Sequence, residues 1–305
     1  MNKLVVLGSV NADHVLQVPS FPRPGETLHG ANYQVIPGGK GANQAVAAAR
    51  LQADVGFIAS VGDDAFGIDI QKRFKNEGIN IAGIKVQENC PTGIAMIQVA
   101  DSGENSICIS AEANGKLDAQ LLEPDLDDIR KAEYLLMQLE TPLDGIAKAA
   151  EVAKTSHTQV ILNPAPARDL PDRLLANVDI ISPNETEAEL LTGVAVVDEQ
   201  SAQQAADVLH GKGISLVLIT LGAKGVWVSS EGVGKLISGF RVDAKDTTAA
   251  GDTFNGAFVT GLLEDMSLES AIKFAHAAAA ISVTRFGAQT SIPTRSEVEE
   301  FLRNH

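Results

Sequence analysis

Within Asp246-Thr247-Thr248-Ala249-Ala250-Gly251-Asp252-Thr253-Phe254-Asn255-Gly256, small residues stand where a helix should begin, and a carboxylate, Asp252, falls on its first turn. Ala249, Ala250 and Gly251 carry almost no side chain, so a phosphate could approach the unpaired N–H groups and positive dipole end of that helix. Asp252 would then lie beside the anion. There a carboxylate that takes a proton from a hydroxyl can create the nucleophile as the phosphoryl group arrives. The same residues also suit a plain helix cap, and alone they do not decide between the two.

A second segment, Pro37-Gly38-Gly39-Lys40-Gly41-Ala42-Asn43, precedes a run of small residues from Gln44 to Ala49 that reads as a helix. Three glycines in four positions imply close backbone approach. The spacing argues against a Walker A loop, because Gly41 and then Ala42, not Ser or Thr, follow Lys40 and only two residues separate Gly38 from Gly41.

These groups need a scaffold, and the apolar runs describe one. Lys3–Gly8, Val55–Val61, Tyr134–Leu139, Gln159–Asn163, Ile180–Pro183 and Leu216–Leu221 read as strands, several of them continuously apolar. Helical stretches such as Leu143–Lys154 and Ser201–Lys212 lie between them, a βαβ series that predicts a parallel sheet covered on both faces. Ligands of such sheets gather beyond the C-terminal strand ends. Asn11 and Asp13, Glu140, Asn184 and Gly222 all follow predicted strands.

Two stretches break that rhythm. His14–Val18 with Thr27–Ile36, and Thr92–Ala100 with Asn105–Ser110, read as paired strands with no helix between them, joined by turns at Pro22-Arg23-Pro24-Gly25 and Asp101-Ser102-Gly103. They predict a small accessory sheet. The alternation in Ala95-Met96-Ile97-Gln98-Val99 puts Ala95, Ile97 and Val99 on one face, which needs a cover.

The chain has 305 residues, 45% of them hydrophobic and 21% charged, with a formal net charge of −15. That size allows a large core. The acidity argues against nucleic acid or an anionic membrane as partner, so any phosphate site must draw its positive potential from helix ends and a metal. The apolar start after Met1-Asn2-Lys3 is broken by Asn11 and Asp13, too soon for a signal peptide, and no run approaches the roughly 18 apolar residues of a membrane span. A cytoplasmic enzyme is expected. Cys90 and Cys108 lack metal-ligand spacing and read as free thiols. The first strand ends in Gly8-Ser9-Val10-Asn11, without the GxGxxG of a dinucleotide fold.

The glycine-rich and DTTAAGD segments together match the two signatures of the PfkB carbohydrate kinases, the ribokinase-like family, and the likeness runs nearly end to end. It is carried by LGSVNADHV at 7–15, PRPGET at 22–27, GGKGANQAVAAAR at 38–50, LMQLETP at 136–142, NPAPAR at 163–168, SPNETEAELLTG at 182–193, ITLGAKGVW at 219–227, DTTAAGDTFNGA at 246–257 and FAHAAAAISVTRFGAQTSIP at 274–293. The resemblance implies a three-layer α/β/α fold with a mostly parallel central sheet plus a small β-sheet lid. Segments 1–12, 37–91 and 111–305 would form the main domain. Segments 13–36 and 92–110 would form a discontinuous lid that covers the sugar and makes the contact of a homodimer.

The same resemblance implies an ATP-dependent kinase that phosphorylates the 5-hydroxyl of D-ribose. Asp252 would be the base, and Ala249, Ala250, Gly251 and Asp252 would form an anion hole. Asn11, Asp13, Gly39, Lys40, Asn43 and Glu140 would bind the sugar, whose hydroxyls both donate and accept. Asn184, Thr220, Leu221, Gly222, Ala223, Lys224, Gly225, Gly251, Asn255 and His276 would contact ATP. Asn184 and Glu187 would organise magnesium and the phosphate waters. Asp246, Thr248, Ser282, Arg285, Gly287 and Ser291 would supply a potassium site, mostly through carbonyls. Glu112 departs from the pattern, standing where a small residue is expected. A kinase for deoxyribose or another near relative, and a catalytically silent sugar-binding protein, remain as alternatives at this point.

Overall fold

A computed structural model describes residues 3–230 and 232–305; Met1 and Asn2, in the first segment of the expected main domain, lie outside them. In chain order the strands are β1 (Leu4–Leu7), β2 (Asn11–Val18), β3 (Ala31–Gly38), β4 (Val55–Gly62), β5 (Ile84–Gln87), β6 (Gly93–Ala100), β7 (Asn105–Ser110), β8 (Tyr134–Met137), β9 (Gln159–Leu162), β10 (Ile180–Ile181), β11 (Leu216–Thr220), β12 (Gly225–Ser230) and β13 (Val233–Ser238). Nine of them form one sheet in the order β13-β12-β11-β10-β9-β8-β1-β4-β5. From β5 to β11 every neighbour is parallel, and β12 and β13 add an antiparallel edge.

Period-two packing explains why the strands are apolar throughout. In β1, Leu4 and Val6 enter one hydrophobic cluster while Val5 and Leu7 enter another on the opposite face. In β4, Phe57 and Ala59 divide from Ile58 in the same way. The first cluster is roofed by the helices Lys40–Arg50, Ala250–Leu263 and Leu268–Val283, the second by Leu143–Thr155 and Glu199–Gly211. The result is three layers, α/β/α, as the sequence predicts.

The remaining strands form a separate sheet, β3-β2-β6-β7, with β2 and β6 parallel at its centre. β2 and β3 reach past the segment 13–36, because Asn11 pairs with Gly38 on one side and with Gly93 on the other, while β6 and β7 lie within 92–110. β3 begins at Ala31 rather than Thr27: the ladder with β2 starts at the Gln17–Ala31 pair, and nothing before Ala31 joins it. The Pro22–Gly25 and Asp101–Gly103 turns form as expected, with left-handed glycines Gly25 (φ 84°) and Gly103 (φ 87°).

The face bearing Ala95 is apolar but incompletely covered. Ala95 is buried, whereas its cross-strand partner Ile109 and the neighbouring Ile107 are half exposed. No helix among the described residues is long and apolar enough to cross a membrane.

Candidate active site

The two signature segments meet. Asp252 sits on the first turn of the helix Ala250–Leu263, which is entered through Ala249 in the left-handed region (φ 58°). That turn leaves the N–H groups of Ala249, Gly251 and Asp252 without an acceptor among the described residues, while Ala250 N turns back to Thr247 O at 3.2 Å. Three of the four expected anion-hole donors are therefore open, and the fourth is engaged by the turn itself. A Cβ on Gly251 would meet nothing within 4 Å, so the space over this helix end is empty of protein.

Asp252 is buried, and each oxygen accepts an amide proton: Oδ2 from Asn43 Nδ2 at 3.0 Å, Oδ1 from Gln44 Nε2 at 2.9 Å. Both donors lie on the helix Lys40–Arg50, and the glycines before it explain how that helix comes so close. A Cβ on Gly38 would fall 1.9 Å from Asp13 Oδ2, and one on Gly41 would fall 2.5 Å from the backbone of Gly8 and Ser9. Gly39 has φ 91° and would crowd the Asn11 backbone at 2.8 Å.

The expected sugar residues converge on the same end of the sheet. Glu140, just beyond β8, accepts from Lys40 N at 3.0 Å and from the Ser9 hydroxyl. Asn11 Oδ1 accepts from Asn114 Nδ2 at 2.8 Å, and Asn114 also brackets the Val10 peptide. Asn43 Oδ1 is buried without a partner among the described residues, an acceptor left for a ligand hydroxyl. Burial, with Glu140 and then Asp252 adding repulsion and Lys40 opposing, pushes the Asp13 carboxyl up to about 7. Burial pulls the Lys40 ammonium down, but Asp252, Glu140, Glu187 and Asp13 together leave it above its ordinary value. Four carboxylates thus share one half-buried lysine.

Beyond Asp252 a polar cleft of 330 Å³ runs over Lys40, Asn184, Thr220, Gly251 and Asn255. It opens at Gly222, Thr247 and Ala250 into an apolar cleft of 490 Å³ floored by Phe240, Val242, Ala279 and Val283, with His276 in its wall. This is the shape of a site for a triphosphate and a heteroaromatic base. Ala223 lines the apolar cleft; Leu221, Lys224 and Gly225 line neither, and they build the 3₁₀ turn Gly222–Lys224 into β12 instead. Burial, against the opposing Ser238 backbone, pushes the His276 imidazole down to about 4, so it is neutral near pH 7.

Asn184 and Glu187 form a reciprocal capping box: Asn184 Oδ1 accepts from Glu187 N at 2.8 Å and Glu187 Oε2 accepts from Asn184 N at 2.9 Å. Burial raises the Glu187 carboxyl, with Asn184 N and Lys40 opposing. No cluster of three or more His, Cys, Asp or Glu among the described residues could hold a metal by itself. Asn184 and Glu187 bring side-chain oxygens to the polar cleft, the donor type a magnesium ion bound also by phosphate and water would take.

The expected potassium residues fall in two adjoining segments. Asp246 accepts from Thr248 N at 2.9 Å and from Gly287 N at 2.8 Å, which clips 246–248 to the loop after Leu268–Val283. Ser282 and Ser291 turn their hydroxyls onto local carbonyls, and the Arg285 side chain pairs with Glu297, so what these residues offer an ion is backbone oxygen. An oxygen-only donor set suits a hard monovalent cation. Glu112, the departure from the family pattern, is in the left-handed region at φ 45° and accepts from the Ser110 hydroxyl at 2.5 Å. That backbone conformation favours glycine and strains a residue with a Cβ.

Four groups escaped the sequence reading: Gln44, Gln138, Asn163 and Asn114. The first three lie inside stretches that carry the family resemblance, at a helix start and at strand ends, but no role was assigned to them.

The pfkB family carbohydrate kinase pattern matches residues 1–295. The chain is 58% identical over 301 residues to a ribokinase of Haemophilus influenzae, covering 99% of this chain and 98% of that one. A deoxyribokinase of Salmonella typhi is 36% identical over 300 residues, 98% of each. The solved structure of Arabidopsis thaliana ribokinase complexed with ribose and ATP superposes with a TM-score of 0.93 at 36% identity, covering 99% of both chains.

Proposed function

The chain belongs to the pfkB family of carbohydrate kinases, and on that premise we propose how its residues divide the work of a ribose kinase. The enzyme transfers the γ-phosphoryl of ATP to the 5-hydroxyl of D-ribose, giving ribose 5-phosphate and ADP. One observation carries the assignment of roles. Asp252, buried and fixed by two neutral amides, lies where the sugar residues and the phosphate cleft adjoin.

Asn11, Asp13, Gly39, Lys40, Asn43 and Glu140 hold ribose so that its primary hydroxyl faces Asp252. Asp252 takes that proton as the oxygen attacks phosphorus, and Ala249, Gly251 and Asp252 N–H groups receive charge on the transferring phosphoryl. Each such donor can contribute about 3 kcal/mol to the transition state. Lys40 adds a cation beside the same cleft. Thr220, Gly222, Ala223, Asn255 and His276 border the nucleotide. Asn184 and Glu187 would hold magnesium, which would supply neutralisation of phosphate charge. Potassium at 246–248 and 282–291 would steady the turn that presents the anion hole.

The second sheet is read as a lid over the sugar, where excluding water matters because the base could activate water too. Its open apolar face, with Ile107 and Ile109 half exposed, supports a homodimer in which a second copy covers it. The acidic composition and the absence of a membrane-spanning helix among the described residues support a cytoplasmic setting. Phosphorus-31 NMR of the product tests the regiochemistry: a phosphomonoester coupled to the two C5 protons supports this reading, and a phosphate on C1 would refute it.

A further inference from the structure

Gln44 is fully buried at the start of the helix Lys40–Arg50, and each of its amide hydrogens and its oxygen has a partner. Nε2 donates to Asp252 Oδ1 at 2.9 Å and to Asn163 Oδ1 at 3.1 Å, and Oε1 accepts from Gln138 Nε2 at 2.6 Å. Gln138, Asn163 and Ser182 each follow directly on the last residue of β8, β9 and β10, and Asn163 Nδ2 in turn donates to Ser182 O at 3.0 Å. Gly8, beyond β1, completes the row: a Cβ there would fall 2.1 Å from Gln138 Oε1.

We infer that Gln44 is a positioning residue for the phosphoryl transfer, its amide locked by the strand-end residues Gln138 and Asn163 so that its N–H always points at Asp252. This rests on the reading of Asp252 as base. A rotatable amide would as readily present its oxygen, which would repel the carboxylate. Asn163 removes that choice, because its Nδ2 is committed to Ser182 O and its Oδ1 must therefore take a Gln44 N–H, which leaves Gln44 Oε1 to accept from Gln138. A neutral amide also stays a donor at every working pH.

Three charged groups act on Asp252 from the elements around it: Lys40 from the helix Lys40–Arg50, Asp13 from β2, and Glu187 from the helix Glu185–Thr192. None of the three donates a hydrogen bond to Oδ1, which accepts from Gln44.

The test is steady-state kinetics of the full-length enzyme from acid to alkaline pH, with ribose and MgATP, for the parent, Gln44→Glu, Gln138→Glu and Asp252→Asn. Gln44→Glu keeps the shape but sets a carboxylate against Asp252, so the two must share a proton. The acid limb of kcat then moves up by about one pH unit or more. The neutral-pH kcat falls about a hundredfold, as misplaced catalytic groups do, while the KM for ribose stays near the parent's. Gln138→Glu, which draws the Gln44 N–H away from Asp252, moves the profile in the same direction and decides the matter where Gln44→Glu does not fold. Parent-like profiles in both, or a raised KM with kcat unmoved, overturn the inference. Full activity in Asp252→Asn would instead remove the base assignment beneath it.

Discussion

Asn43 and Asp252, 209 residues apart in sequence, are joined in the core by a hydrogen bond of 3.0 Å from Nδ2 to Oδ2. The contact ties the glycine-rich segment to the helix that presents the base, and it makes the two signatures one site. A carboxylate so held is preorganised, and little reorganisation remains when the hydroxyl arrives. Asp252→Asn keeps the shape and removes the base. Its kcat is expected to fall by about 10⁴ while ribose still protects the fold against heat. Retained turnover with normal binding would mean that another group takes the proton.

Gly251 separates a folding requirement from a ligand requirement. A Cβ there meets nothing within 4 Å, whereas one on Gly256 would fall 2.7 Å from Gln44 O, in the packing between two helices. Gly251→Ala should therefore melt at the parent's temperature yet lose phosphoryl transfer, and Gly256→Ala should lose stability. If Gly251→Ala turned over like the parent, the open space would not be where the phosphate sits.

Asp13 predicts a pH signature of stability. Its carboxyl titrates near 7 in the fold against 3.8 as an ordinary aspartate, so the folded chain binds that proton more tightly than the unfolded chain. Stability from this group is full below about pH 4, declines as pH rises, and is gone above about pH 7. Asp13→Asn escapes the loss. Without sugar it should melt above the parent at about pH 8 and level with it at about pH 4, at the expense of ribose affinity. A melting difference constant across that window would contradict the assignment.

Potassium should act through the turn. Asp246 clips Thr248 to Gly287, and the backbone oxygens nearby can hold a cation beside Ala249 without touching the reacting atoms. Turnover in potassium is expected to exceed that in lithium at equal ionic strength, with Asp246→Ala abolishing the difference. Equal rates in both salts would remove the cation from the account.

Much of this was legible in the residues. Continuous apolar runs required a sheet buried on both faces, and β1 and β4 show why, each feeding two clusters. Asp252 stood out by its type and its place on a first helical turn, and the resemblance to the carbohydrate kinases brought in Asn43, Lys40, Glu140 and Asp13. Gln44, Gln138 and Asn163 did not stand out, because an amide at a strand end has meaning only once parallel register brings three such ends into a row. Phe240, Val242 and Val283, which floor the apolar cleft, were silent for a similar reason: they come from a loop and a helix end that only the antiparallel edge β12-β13 brings together. The premature start given to β3 arose because Thr27-Leu28 has strand-like residue types but no neighbour to pair with.

The central claim is ribose phosphorylation by ATP. Its most direct test is ADP formation by the purified chain with MgATP and potassium, with and without D-ribose, with 2-deoxyribose, fructose and adenosine in parallel. The account predicts strong ADP formation that depends on ribose, weaker with 2-deoxyribose and near background with the others. No ribose-dependent ADP, or a clear preference for another acceptor, would contradict it.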